Sequence, residues 1–205
     1  MSNLSKLAAV IVGTVSLVAC ASTGLVSSWK APDAQPLKGE GSKVACVVMT
    51  KNESTRRAGE DALARQITAR GGQGVPMYTI LPGVAEPNEA QAKAALEKAG
   101  VNAVVVLRPV GKDKEVVSTA SMYAGPAYGP YWGGYYGYGW GGAWGGGQDI
   151  RTNTIVTVET LVYSMKQNKL VWGGQTKTTN PSKVDAFVKE IADAVAKEMK
   201  KQGLI

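Results

Sequence analysis

The stretch that decides the fold is Ala99-Gly100-Val101-Asn102-Ala103-Val104-Val105-Val106-Leu107. A short apolar run that follows an Ala-Gly stop has the length of a strand, and five consecutive apolar residues leave it no polar face. Such a strand lies inside a sheet covered on both sides. The spacing predicts this strand over Asn102–Val110.

Upstream, Pro87-Asn88-Glu89 opens a helix through Ala92, Ala95, Leu96 and Ala99, which Gly100 stops. Val75–Leu81 reads as a second strand closed by Pro82-Gly83. Before it, Ser54–Arg70 reads as a helix with Ala58, Ala62, Leu63 and Ile67 on its inner side and a cap in the polar Thr50–Ser54 segment. Glu53/Arg57 and Asp61/Arg65 have i,i+4 ion-pair spacing, and Gly71-Gly72 ends the helix. Lys43–Met49 is a further nearly continuous apolar strand.

Downstream, Ile150–Met165 alternates and is rich in β-branched residues, and Lys166-Gln167-Asn168 turns the chain into a second arm, Lys169–Thr178. Asn180-Pro181-Ser182 begins the last helix, with Ser182 and Asp185 at capping-box spacing. Its stripe is Val184, Phe187, Val188, Ile191, Val195 and Met199. The predicted order is β-α-β-α-β, a Gly-rich insert, then β-β-α. That order implies an α/β fold, a mixed sheet with helices packed on it.

Residues 1–19 read as a signal peptide, with Lys6 ahead of the apolar Leu7–Ser16. That run is short for a membrane span. Leu17-Val18-Ala19-Cys20 resembles the lipobox of bacterial lipoproteins. The resemblance implies cleavage after Ala19 and acylation of Cys20, and several acyl chains anchor a protein stably where one binds only marginally. Ala21 and Ser22 follow the cysteine, where enteric lipoproteins retained at the inner membrane carry Asp, so the resemblance implies an outer-membrane, periplasm-facing anchor. Residues 20–42, with scattered Ser, Gly and Pro, read as a tether in which Trp29 packs on the domain; residues 43–205 form that domain.

The insert, 116–148, carries no charge and is crowded with glycine and aromatics. Tyr131, Trp132, Tyr135, Tyr136, Tyr138, Trp140 and Trp144 are its candidate partner contacts. Glycine makes the segment costly to order, while Tyr and Trp suit interfaces and headgroup depth. A flexible loop resting on its own domain, a binding loop for an envelope protein or peptidoglycan, a shallow membrane contact and a pore-forming hairpin all stay open. Nucleic acid is not an expected partner, since the insert lacks Lys and Arg.

The chain has no histidine, which removes the commonest general base and metal ligand. Cys46, within Val44–Val48, reads as a small buried hydrophobe rather than a nucleophile. Gly173–Thr178 lacks phosphate-loop spacing and falls on a strand. Glu60/Asp61 and Asp185/Glu190/Asp193 read as solvated helix faces. No catalytic residue, metal or cofactor is expected. A net charge of +7 favours anionic surfaces or serves solubility.

Residues 43–205 resemble small bacterial lipoproteins of unknown function. The likeness rests on Ala99–Val106, Lys169-Leu170-Val171-Trp172-Gly173 and the closing Gly203-Leu204-Ile205. The element order also resembles the amino-terminal domain of the Tol-system translocation protein, lipoprotein activators of penicillin-binding proteins and the curli-export lipoprotein. The resemblance implies a non-catalytic binding or scaffolding module in the envelope. The alternatives are a subunit of an oligomeric assembly or export pore, and a cell-wall hydrolase.

Overall fold

A computed structural model describes residues 22–37, 41–83, 88–116 and 152–205. The elements in chain order are β1 (Ser22–Lys30), β2 (Lys43–Val48), α1 (Glu53–Thr68), β3 (Gln73–Pro76), α2 (Met77–Ile80), α3 (Glu89–Lys98), β4 (Ala103–Val116), β5 (Thr152–Ser164), β6 (Lys169–Thr179) and α4 (Val184–Lys201). One six-stranded sheet runs β1-β6-β5-β4-β2-β3. β2 is parallel to both β3 and β4, and the remaining pairs are antiparallel. The α/β mixed sheet expected from the pattern is therefore present.

The apolar run at 103–107 lies in β4, between β2 and β5, and feeds both sides of the sheet. Val104 and Val106 pack with Ala45, Val47, Leu161, Tyr163 and with Met77, Ala92 and Leu96 of α2 and α3. Leu107 joins Cys46, Val48, Val158 and Val162 beneath Leu63 of α1 and Val188, Ile191 and Val195 of α4. Burial pushes the Cys46 thiol up to about 12, so it is an inert core group, as the sequence implies.

Asn52 caps α1 by accepting the Thr55 N–H, and Asn88 with Gln91 forms a capping box on α3. Glu53 pairs with Arg57 at 2.7 Å. Gly74 of β3 is required by close approach, because a Cβ there would fall 2.3 Å from the Ala64 carbonyl oxygen of α1.

Six expectations are corrected. The tether of residues 20–42 is in part strand: β1 pairs along β6, and Thr23 Oγ1 donates to Glu190 of α4 at 2.6 Å. Trp29 leaves about half its surface exposed, so backbone pairing rather than its ring docks the segment. The strand expected over Val75–Leu81 stops at Pro76, beyond which Met77 turns into a single helical turn and fills the core. The Ser182–Asp185 capping box does not form: α4 starts at Val184, and Asp185 meets Arg65 instead. Arg65 is thereby drawn from Asp61, which accepts the Tyr78 hydroxyl at 2.7 Å, and Ala58 faces solvent.

Candidate functional site

The two faces of the sheet are filled differently. Between the face shared by α1 and α4 and those helices lies a cavity of about 450 Å³. Its walls are Val44 of β2, Val105 and Leu107 of β4, Thr160 and Val162 of β5, Leu63 and Ile67 of α1, and Ile191, Val195 and Met199 of α4. Ala192 and Ala196 put small side chains where larger ones would close the gap. Ion pairs run across the outer surface above it, from Arg65 of α1 to Asp185 and from Arg70, just past the end of α1, to Asp193.

The cavity has a closed end and an open end. Leu107, Thr160 and Ile191, all nearly inaccessible, mark the closed end. Gln35, Arg70, Asn102 and Lys166, all exposed, mark the rim. From Ser164 at the rim to Thr160 inside is four residues of strand, roughly 13 Å. Residues 31–37 and the C-terminus border the mouth, where the Leu37 N–H donates to the Leu204 carbonyl at 2.8 Å. Across the face, Trp172 lies over Gly174 and donates to Gln202 at 3.0 Å.

Among the described residues, two buried side-chain atoms lack a hydrogen-bond partner: Glu159 Oε1 and Thr160 Oγ1. They belong to adjacent residues and so point to opposite faces. The other oxygen of Glu159 is held by Arg108 Nε at 2.9 Å. A second buried carboxylate stands at the carboxyl ends of β2 and β3. Glu60, expected on a solvated face, is fully buried, accepts the Tyr78 N–H at 2.9 Å and pairs with Arg56 at 3.1 Å. Burial raises its carboxyl above the ordinary range, against the opposing pull of the Tyr78 N–H and Arg56. Asp185 and Asp193 are exposed as expected, within ion pairs.

Leu17, Val18, Ala19 and Cys20 lie outside the described residues, as do Tyr131, Trp132, Tyr135, Tyr136, Tyr138, Trp140 and Trp144. Register nonetheless fixes where the chain enters and leaves. Ser22 aligns with Thr179, Thr179 with Ile155, and Ile155 with Asp113. Val116 and Thr152, the roots of segment 117–151, face each other at that same end of the sheet. The cavity mouth is at the opposite end, beside Ser164 and Ala103. Neither the cavity nor the burial of Glu60 was foreseen from the sequence.

Among the described residues, no helix is long and apolar enough to cross a membrane, and no group of three or more His, Cys, Asp or Glu could hold a metal ion.

No protein-family model matches the chain, and no curated protein does. Similar solved structures include a PelC dodecamer from Paraburkholderia phytofirmans, with a TM-score of 0.46, 12% identity and coverage of 83% of this chain and 96% of that one. A substituted PelC dodecamer from the same organism, in space group C2, gives a TM-score of 0.48 at 10% identity, covering 86% and 96%. Lipoprotein GNA1162 from Neisseria meningitidis gives 0.42 at 11%, covering 78% and 99%.

Proposed function

We propose that the chain is an envelope lipoprotein, acylated at Cys20, whose α/β domain is a non-catalytic binding module facing the periplasm from the outer membrane. The observation that carries this reading is the polarity of the sheet. Cys20 precedes Ser22 by two residues, a reach of roughly 7 Å, and Ser22 already belongs to β1. An acylated Cys20 would therefore seat the edge of the sheet close to the bilayer rather than let the domain swing. Both roots of the Tyr/Trp-rich segment stand at that same end, so its aromatics start from the membrane side, where Tyr and Trp suit headgroup depth. The cavity opens at the other end, toward the aqueous space.

The lipobox supports the anchor, and the preformed apolar cavity supports binding: its volume lies within the range of small-molecule sites, about 300–1,000 Å³. The test is metabolic labelling with palmitate followed by membrane fractionation. Wild type should carry label and sediment with outer membranes, and Cys20→Ser should lose both properties. Undiminished label in Cys20→Ser would overturn the reading.

A further inference from the structure

We propose that the cavity between α1, α4 and the sheet binds an aliphatic amphiphile, a fatty acyl chain bearing an oxygen near its buried end, with Thr160 Oγ1 bonded to that oxygen and the polar head at the Lys166 rim. This deepens the binding half of the proposed function and is independent of the anchor at Cys20.

The first support is the orphan hydroxyl. Thr160 is 2% exposed and its Oγ1 has no partner. The other buried threonines of the same sheet face are satisfied: Thr176 Oγ1 donates to the Val158 carbonyl at 3.3 Å, and Thr178 Oγ1 lies 2.7 Å from Thr23 Oγ1. An unsatisfied buried hydroxyl loses its water without compensation, so a fold that satisfies its neighbours but leaves this one bare, at the closed end of a cavity, points to a ligand atom.

The second support is the character of the walls. Among the described residues lining the cavity there is no aromatic side chain, no Asp and no Glu. The walls are mostly Val, Leu, Ile, Ala and Met, with polar side chains such as Ser42, Gln66, Asn102 and Ser164 among them. A flat ring system finds no aromatic face to stack on, whereas an alkyl chain meets matching surface over most of its length. Two cations stand at the rim. Arg70 is engaged with Gln66 and Asp193, while Lys166 makes no ion pair among the described residues and is exposed. An anionic or neutral polar head fits there, and a cationic one does not.

The third support is length. The strand path from the rim to Thr160, roughly 13 Å, is comparable with extended laurate. The chain's own acyl groups are not the occupant. Ser22 aligns through Thr179 with Ile155, nine residues along β5 from Ser164, which puts the anchor end roughly 30 Å from the mouth.

The test is calorimetric titration of the full chain carrying Cys20→Ser, which has no acyl group of its own, with laurate and with ω-hydroxylaurate. The hydroxylated chain should bind about five- to tenfold more tightly, the worth of one net hydrogen bond. Thr160→Val keeps the volume and removes the hydroxyl, and should bring the two ligands within about twofold of each other. Lys166→Gln should weaken both by a few-fold, less so at high salt. Ala196→Phe should abolish both by filling the cavity; should it fail to fold, Ala192→Leu serves the same purpose. Absence of binding by both ligands overturns the proposal, as does a hydroxyl advantage that survives Thr160→Val. Neither result bears on palmitate labelling at Cys20, so the two readings fail separately.

Discussion

The two faces of this sheet are built from the same strands by the same alternation, yet one is closed and the other is hollow. On the α2/α3 side, short elements contribute Met77, Ala92 and Leu96, and they close over Val104, Val106 and Leu161. On the α1/α4 side, two much longer helices contribute more apolar surface and still leave about 450 Å³ unfilled. Length of cover does not decide packing. What decides it is the size of the side chain at each facing position. Ala192 and Ala196 are the positions on α4 where larger side chains would narrow the gap.

The sharpest way to break this contrast is to remove bulk from the closed face. Leu161 is fully buried there, and its close-packed neighbours have little freedom to collapse. Leu161→Ala should cost about 3–5 kcal/mol, read as a lowered urea midpoint at unchanged slope. A loss under about 1 kcal/mol would mean that this face is as loose as the other.

Adding bulk should separate the faces by sign. Ala92 is inaccessible in α3, and Ala196 lines the cavity from α4. Leucine and alanine are both strong helix formers, so propensity nearly cancels. Ala92→Leu should cost about 1–3 kcal/mol by overpacking. Ala196→Leu should leave the melting temperature unchanged or raise it, because its added carbons enter empty space. Equal losses for the two would show that the cavity closes in solution.

Much of this contrast could not be read from the sequence. The run at 103–107 announced a central strand because it was apolar at consecutive positions, and Asn88 announced a helix start because its side chain is suited to orphan N–H groups. Both signals are local. The cavity is a property of distances between elements far apart in the chain. Ala192 and Ala196 look like ordinary helix formers, and Thr160 looks like one more β-branched residue in an alternating strand. β1 does not read as a strand because Ser22–Lys30 is Ser-rich, and it is held as an edge strand by backbone partners that β6 supplies. Glu60 reads as solvated because it stands beside Asp61 in sequence, while its neighbours in space are the Tyr78 N–H and Arg56.

Glu60 also gives the contrast a pH axis. Burial raises its folded-state pKa above the ordinary 4.5, so the native state holds this proton more tightly than the unfolded chain does. Its contribution to stability is complete below about 4.5 and is lost as pH rises through the folded pKa. Glu60→Gln should remove that decline, which is at most about 1.4 kcal/mol per pH unit for a single proton. Unfolding midpoints measured from mildly acid to neutral pH should converge for wild type and variant at the acid end. A parallel offset across the range would show that Glu60 stays ionised throughout.

The smallest expected change is the most discriminating. Thr160→Val replaces a buried hydroxyl that has no partner with a methyl group of similar size. Where a hydroxyl is bonded, that exchange strands its partner and costs stability; where it is not, the exchange removes a desolvated polar atom and adds apolar surface. Thr176 supplies the control on the same face, since its hydroxyl donates to the Val158 carbonyl. Thr160→Val should therefore leave the unliganded protein as stable as wild type or slightly more so, by up to about 1 kcal/mol, while Thr176→Val should cost about 1 kcal/mol. If both variants lose the same amount, the hydroxyl of Thr160 is already satisfied in the free protein, and the hollow face has no polar atom waiting for a ligand.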